Sequence, residues 1–264
     1  MSIYLKTEDE IELMRRANAL VSRTLGIVGR HIKPGISTRE LDEIAETFIR
    51  DNGGEPLFKN FPNPLGKPFP ASICTSVNDV VVHGIPGTTV LREGDIISVD
   101  CGVKIGGYCG DACYTFAVGT ISDDARRLMN ATKEALYAGI AAATTGHRLG
   151  DISHAVQQCA EGKGYSVVKP LTGHGIGREM HEDPRVMNYG SAGTGPMLKT
   201  GMCIAIEPII AAGSPKIVLM RDRWTIRTAA GSLTAHYEHT IVVRRGKAEI
   251  LSSFDEAEQA DPTH

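Results

Sequence analysis

DIISVDCGVKIGGYCGDACYTFAV, residues 95–118, reads as two strands: runs rich in Ile, Val, Tyr, Phe and Thr on either side of a turn at Lys104 to Gly107. Each run carries one acid in apolar text, Asp100 closing DIISVD and Asp111 opening DACYTF. Folding the hairpin brings the two carboxylates close together on adjacent strands, where an unpaired buried charge is costly.

Upstream, SICTSV and VVVHGI are further short strand candidates, with Ile85-Pro86-Gly87 as a turn. They follow a Pro-rich connection, FPNPLGKPFP, at residues 61–70. Before that, Thr7 with Glu10 and Ser37 with Glu40 are capping-box patterns. Each opens an apolar stripe at helical spacing, one running up to HIKPG at 31–35 and one up to Asn52-Gly53-Gly54. Downstream, helical periodicity returns from Ser122 to Thr145-Gly146, and a further helix is expected from about Asp151 to Glu161. Two helices followed by strands in residues 8–119 are thus echoed in residues 123–244, a spacing of roughly 115 residues. Such a duplication implies an α+β molecule of two similar halves with a cleft between them. The whole is expected to be a single catalytic domain, residues 1–250, with a solvated, flexible tail at 251–264.

The second half repeats the anomaly of acids in apolar text. Glu207 interrupts MCIAIEPII, Glu238 sits in AHYEHTIVV, and His174 lies between glycines in LTGHGIG. Four carboxylates converging without a cation repel one another and take up protons. Divalent metal removes that conflict, and bridging carboxylates can hold two ions about 3.5–4 Å apart. Singly, each residue has a plainer reading: Asp100 and Asp111 as strand-end acids bonded to backbone amides, Glu207 and Glu238 as partners of arginines, His174 as a structural histidine. His83 in VVHGIP and His181 in REMHED read equally well as hydrogen-bonded surface residues.

Composition narrows the classes. The chain has 264 residues, 28 Lys+Arg against 31 Asp+Glu and a pI near 6.3, which is not the basic balance of a dedicated duplex-DNA binder. Six cysteines contain no CxxC pair, the first residues lack a secretory pattern, and no apolar run approaches the roughly 18–20 residues of a membrane span. Reduced thiols and a cytoplasmic location are expected. GxSxG, a P-loop, HExxH and a dinucleotide-binding GxGxxG in its strand-turn-helix setting are all missing.

As a set, NDVVVHGIP, DIISVDCGV, GYCGDACYTFAVG, GHGIGREMHEDP, GMCIAIEP and WTIRTAAGSLTAHYEHTIVV resemble the type I methionine aminopeptidases, especially their short bacterial form, over residues 4–250. The resemblance implies a pita-bread fold, two pseudo-symmetric halves with curved antiparallel sheets backed by helices. It implies two divalent ions (Co, Mn, Fe or Zn), with Asp100 chelating one, Asp111 and Glu238 bridging the two, and His174 and Glu207 completing the ligand set of the second ion. It makes His83, His181 and Glu207 catalytic: His83 at the substrate's amino end, His181 at the scissile carbonyl, Glu207 as proton shuttle. The implied reaction is attack of a metal-activated water on the first peptide bond, removing methionine from nascent chains whose second residue is small. Phe69, Cys74, Met180 and Trp224 are assigned to the methionine pocket. Two departures stand out: Met180 replaces the aromatic residue common in bacterial forms, and FPNPLGKPFP is slightly rearranged. The expected enzyme is a monomer that meets the ribosome transiently and binds neither DNA nor membrane. The competing readings are an aminopeptidase for Xaa-Pro ends, usually with a large extra N-terminal domain, and a non-catalytic binding module of the same fold.

Overall fold

The computed structural model describes residues 3–261. Helices α1 (Glu8–Gly29) and α2 (Thr38–Asp51) start where the capping boxes place them, with Thr7 and Ser37 each exchanging hydrogen bonds with the glutamate three residues on. Strands β1 (Glu55–Pro56), β2 (Cys74–Val77), β3 (Val80–Val82), β4 (Ile96–Ile105) and β5 (Tyr108–Ala117) complete the first half. The β4–β5 hairpin is tighter than the sequence suggests: Ile105 pairs with Tyr108, leaving Gly106 and Gly107, both at positive φ, as a two-residue loop.

Helices α3 (Asp123–Ala142) and α4 (Leu149–Gly162) open the second half. The α4 helix begins two residues before the expected Asp151, whose carboxylate instead accepts the Arg148 N–H from within the first turn. Strands β6 (Ser166–Val167), β7 (Thr172–Gly175), β8 (Glu182–Met187), β9 (Cys203–Ile206) and β10 (Ile209–Ala211) follow. Then come β11 (Ile217–Leu219), β12 (Ile226–Thr228), β13 (Thr234–His236), β14 (Glu238–Val242), β15 (Glu249–Ile250) and the short helix α5 (Asp255–Ala260).

The main sheet runs β1-β4-β5-β14-β9-β7-β8, with β2 added on β4 and β15 on β14, all antiparallel. The strands from β1 to β5 belong to the first half and those from β14 to β8 to the second, so the β5–β14 pairing is the seam between halves. Helix α1 packs on β4 and β5, and α3 lies against α4 and the second-half strands. The resulting core joins Val21 and Leu25 of α1 to Ile97 and Val99 of β4 and to Leu128 and Leu136 of α3. These are the two pseudo-symmetric halves of the pita-bread arrangement.

The expectation of a solvated end after residue 250 is corrected for 251–261. Leu251, Phe254 and Ala257 are buried and α5 packs on α1. Room for it comes from Gly26 and Gly29 of α1, where an added Cβ would fall 2.5 Å from Glu256 Cβ and 3.0 Å from Ala260 Cβ. Residues 262–264 of that tail lie outside the described residues.

Candidate metal centre

Strand register explains why the acids meet. In the antiparallel sheet Cys74 faces Asp100, Asp100 faces Cys113, and Cys113 faces Glu238, forming a single row across β2, β4, β5 and β14. Directly opposed residues share a face, and so do residues two apart on one strand. Asp111 therefore joins the row from β5, and His174, opposite Ala205, points the same way as Glu207 just beyond β9. Asp100 and Asp111 come from one half, and His174, Glu207 and Glu238 from the other, across the seam.

Asp111, His174 and Glu238 offer ligand atoms that all lie within 4.8 Å of one another, the span that a single divalent cation bridges. His174 Nδ1 lies 2.9 Å from the Gly175 carbonyl, which can only accept, so Nδ1 carries the proton and the Nε2 lone pair is free. That Nε2 is 3.8 Å from Asp111 Oδ2 and 3.7 Å from Glu207 Oε1. Asp100 and Glu207 flank the trio in the same cavity, the donors a second ion needs. Among the described residues, the basic groups beside Glu207 and Glu238 are imidazoles held neutral by burial rather than arginines, which removes the reading of these acids as partners of arginines.

The electrostatics fit a cation. Burial pushes the Asp100 carboxyl up to about 7. Burial, then the neighbouring acids, raises Asp111, Glu207 and Glu238 well above the usual carboxylate range. Asp100 Oδ1, Asp111 Oδ1 and Glu238 Oε1 are buried acceptors without a hydrogen-bond partner. Unsatisfied buried oxygens in a group of mutually repelling acids make an arrangement that divalent cations satisfy. Burial, and secondarily the nearby His181, holds both His83 and His174 down at about 4, so both rings are neutral at pH 7.

Beside the acids lies a cavity of about 180 Å³ whose apolar wall includes Phe58, Phe61, Phe69, Cys74, Met180 and Trp224. A cavity of about 150 Å³ holds a benzene-sized guest, so this one takes a single apolar side chain. Phe69 and Trp224 meet edge to face at 5.2 Å, and Trp224 Nε1 donates to the Lys67 carbonyl, tying the Pro-rich connection to the pocket wall. His181 stands at the exposed rim, its ring 4.5 Å from that of His174 and 5.5 Å from that of Phe61. His83 adopts φ 55°, and a Cβ on the next residue, Gly84, would lie 2.1 Å from the Thr75 carbonyl oxygen. Thus all eleven residues singled out in the sequence line one cavity. The sequence reading missed Phe58 and Phe61, whose irregular loop has no periodicity, and His236, two residues before Glu238 on the same face.

The chain matches the model of metallopeptidase family M24 over residues 12–245. It is 47% identical over 250 residues to methionine aminopeptidase 1 of Bacillus subtilis, covering 95% of this chain and 99% of that protein. A methionine aminopeptidase of Clostridium acetobutylicum is 48% identical over 251 residues, covering 95% and 98%. The crystal structure of the Rickettsia prowazekii methionine aminopeptidase superposes with a TM-score of 0.92 at 40% identity, covering 96% of this chain and all of that one. A prolidase from Pyrococcus furiosus shares the fold, with a TM-score of 0.77 at 22% identity, and this chain spans 66% of its length. The fold and the acid-lined centre define a metallopeptidase of the two-halved type. The chain belongs to family M24 and, within it, to the type I-like methionine aminopeptidases.

Proposed function

We propose that the chain is a metal-dependent exopeptidase that removes N-terminal methionine from polypeptides whose second residue is small. The observation that carries the reading is the juxtaposition of the four acids and His174 with an apolar cavity sized for one side chain. Asp100, Asp111, His174, Glu207 and Glu238 would hold two divalent ions. Bound there, such ions acidify water and polarise a carbonyl.

The chain's own groups do the rest. The wall formed by Phe69, Cys74, Met180 and Trp224 takes the methionine side chain and excludes water from it. His83, neutral and fixed by its strained backbone, positions the amino end and supplies a hydrogen bond there. His181, at the rim, donates to the scissile carbonyl as negative charge develops on its oxygen. A Glu207 carboxylate oxygen takes the proton released by the attacking water and passes it to the departing amine. A second, open groove leaves the same histidines along Val82, Leu171, Arg185 and Ile209, a path for the residues that follow the methionine. With room for one side chain in the apolar pocket and a groove for the residues that follow it, cleavage falls at the first bond of a chain.

Nascent polypeptides are the substrates that this activity implies. The proposal places the enzyme in the cytoplasm as a monomer that meets the ribosome transiently, where new N-termini emerge. No helix among the described residues is long and apolar enough to cross a membrane. The test is hydrolysis of peptides beginning Met-Gly, Met-Lys, Leu-Gly and Ala-Pro by protein loaded in turn with Mn, Co, Fe and Zn. Selective cleavage of Met-Gly is expected; preference for Ala-Pro would move the substrate to Xaa-Pro ends, and no cleavage by verified metal-loaded protein would leave a binding module.

A further inference from the structure

One imidazole at the centre of the molecule has no part in the chemistry above. His236 ends β13 with 3% of its surface exposed, and its Nε2 has no hydrogen-bond partner. That atom lies 3.7 Å from Glu207 Oε2 and 4.0 Å from Glu238 Oε2, just outside bonding range of both carboxylates. Its backbone is fixed on both sides, since its N–H donates to Thr115 Oγ1 at 3.0 Å and its carbonyl accepts from the same hydroxyl at 2.7 Å. The alternation of the strand turns Tyr237 away into the core, its hydroxyl donating to the Thr115 carbonyl, and leaves His236 and Glu238 on the face of the acids.

Glu207 is approached by two imidazoles on different oxygens. His174 Nε2 faces Oε1, whereas His236 Nε2 faces Oε2. His174 belongs to the tight set of potential ligands with Asp111 and Glu238, and His236 does not. The two rings therefore call for opposite roles, a lone pair at His174 and an N–H at His236.

We propose that His236 is a positioning residue of the metal centre: carrying its proton on Nε2, it draws in the Oε2 atoms of Glu207 and Glu238 and turns their Oε1 atoms toward the cations. The inference rests on the divalent-metal reading of the site. It needs a contraction of less than about 1 Å to reach hydrogen-bond distance, and an ionised carboxylate is the stronger acceptor for that N–H. A partner group that orients a ligand in this way typically changes metal affinity by about 10–100-fold.

The experiment titrates metal-stripped wild type, His236→Leu, His236→Ala and His236→Gln with Co²⁺ alone, followed by calorimetry and by the visible absorption of the bound ion. Melting of the metal-stripped proteins reports their folding, and the two donor-free variants make the result independent of either one folding poorly. Expected are unchanged stoichiometry throughout, about 10–100-fold weaker binding with an altered absorption band in Leu and Ala, and recovery of most of the affinity in Gln, whose side-chain amide restores an N–H. Wild-type affinity and spectrum in the donor-free variants would overturn the proposal. A lost equivalent of Co²⁺ would do so by making His236 a direct ligand, and equal impairment of Gln would do so by reducing its part to packing. Failure of wild type itself to bind Co²⁺ strikes instead at the metal reading of the site, so the two failures are read on different proteins.

Discussion

His83 combines two costs at one position. Its φ of 55° lies in the left-handed region, a strain of about 1–3 kcal/mol for a non-glycine residue, and it is half-buried, beside Trp224 in the cavity that the acids line. Such strain persists where the surrounding structure fixes it, here through a chain path that Gly84 alone permits against Thr75. His181 differs: it stands at the rim, and in the proposed mechanism it stabilises charge without holding metal. Its replacement by Ala is expected to leave metal affinity unchanged while lowering kcat by about 10²–10³, the loss typical of one oxyanion donor; equal loss of metal in the calorimeter would count against this division. Asp100, Asp111, Glu207 and Glu238 were legible in the sequence as a set, because four acids in apolar text have few inexpensive structural explanations together, and His174, set among glycines, became persuasive only beside them. His83 and His181 were legible only through resemblance, since Gly-rich and charged surroundings suit a surface histidine equally well. Phe61 and His236 were not legible: Phe61 reaches His181 through a loop without periodicity, and His236 matters through atoms of Glu207, which is distant in sequence.

At the scale of elements, the turn that carries Met180 and His181 is held from outside. Glu182 accepts the Arg178 N–H at 2.9 Å and the Glu179 N–H at 3.2 Å, and pairs with Lys6 Nζ at 2.6 Å. The Lys6 side chain is only 2% exposed, so removing it leaves a carboxylate with little access to water. Breaking a buried pair in this way costs about 3–5 kcal/mol, and partial exposure of Glu182 places the expected loss near the lower end. Lys6→Met should therefore destabilise the fold by about 3 kcal/mol in denaturant unfolding and lower kcat through the displaced His181, while Lys6→Arg should retain most of both. Unchanged stability in Lys6→Met would show that the pair does not hold the turn. The starts of α1 and α2 were readable from their capping boxes, and the β4–β5 hairpin from two runs of β-prone residues about a glycine turn. The packing of α5 was not, because Asp255, Glu256 and Glu258 dominate that text while Leu251, Phe254 and Ala257 meet a surface opened by two distant glycines.

In the whole molecule the seam between halves is also the place where charge is concentrated, so folding without cations must bring four acids together. Their protonation in the native state sets a pH dependence. Between the ordinary carboxylate range and their raised native values, the folded chain binds more protons than the unfolded one, and stability falls as pH rises. Below about pH 6.5 the buried histidines, with lowered values, act in the opposite sense, so the acids dominate above it. Metal-stripped protein should thus melt at a lower temperature at pH 8 than at pH 7, and Mn²⁺ should remove or reverse the difference by favouring the ionised carboxylates. A Tm that rises over that interval without cations would contradict the raised values. The duplication was visible as a recurring order of elements. That the halves join through β5 and β14, aligning Asp100, Cys113 and Glu238 in one row, depends on a pairing between strands more than a hundred residues apart that no local pattern encodes.

The central claim is that the acid-lined seam holds divalent cations that enable release of N-terminal methionine. Its most direct test adds Mn²⁺ or Co²⁺ stepwise to metal-stripped wild type and Asp111→Ala while measuring methionine release from a Met-Gly peptide. The account predicts no release from either protein before addition, recovery in wild type as cation binds, and at least about a thousandfold less release from Asp111→Ala at saturating cation, as expected when one of the proposed cation-holding carboxylates is lost. Release by the stripped wild type, or an equal recovery in Asp111→Ala, would contradict it.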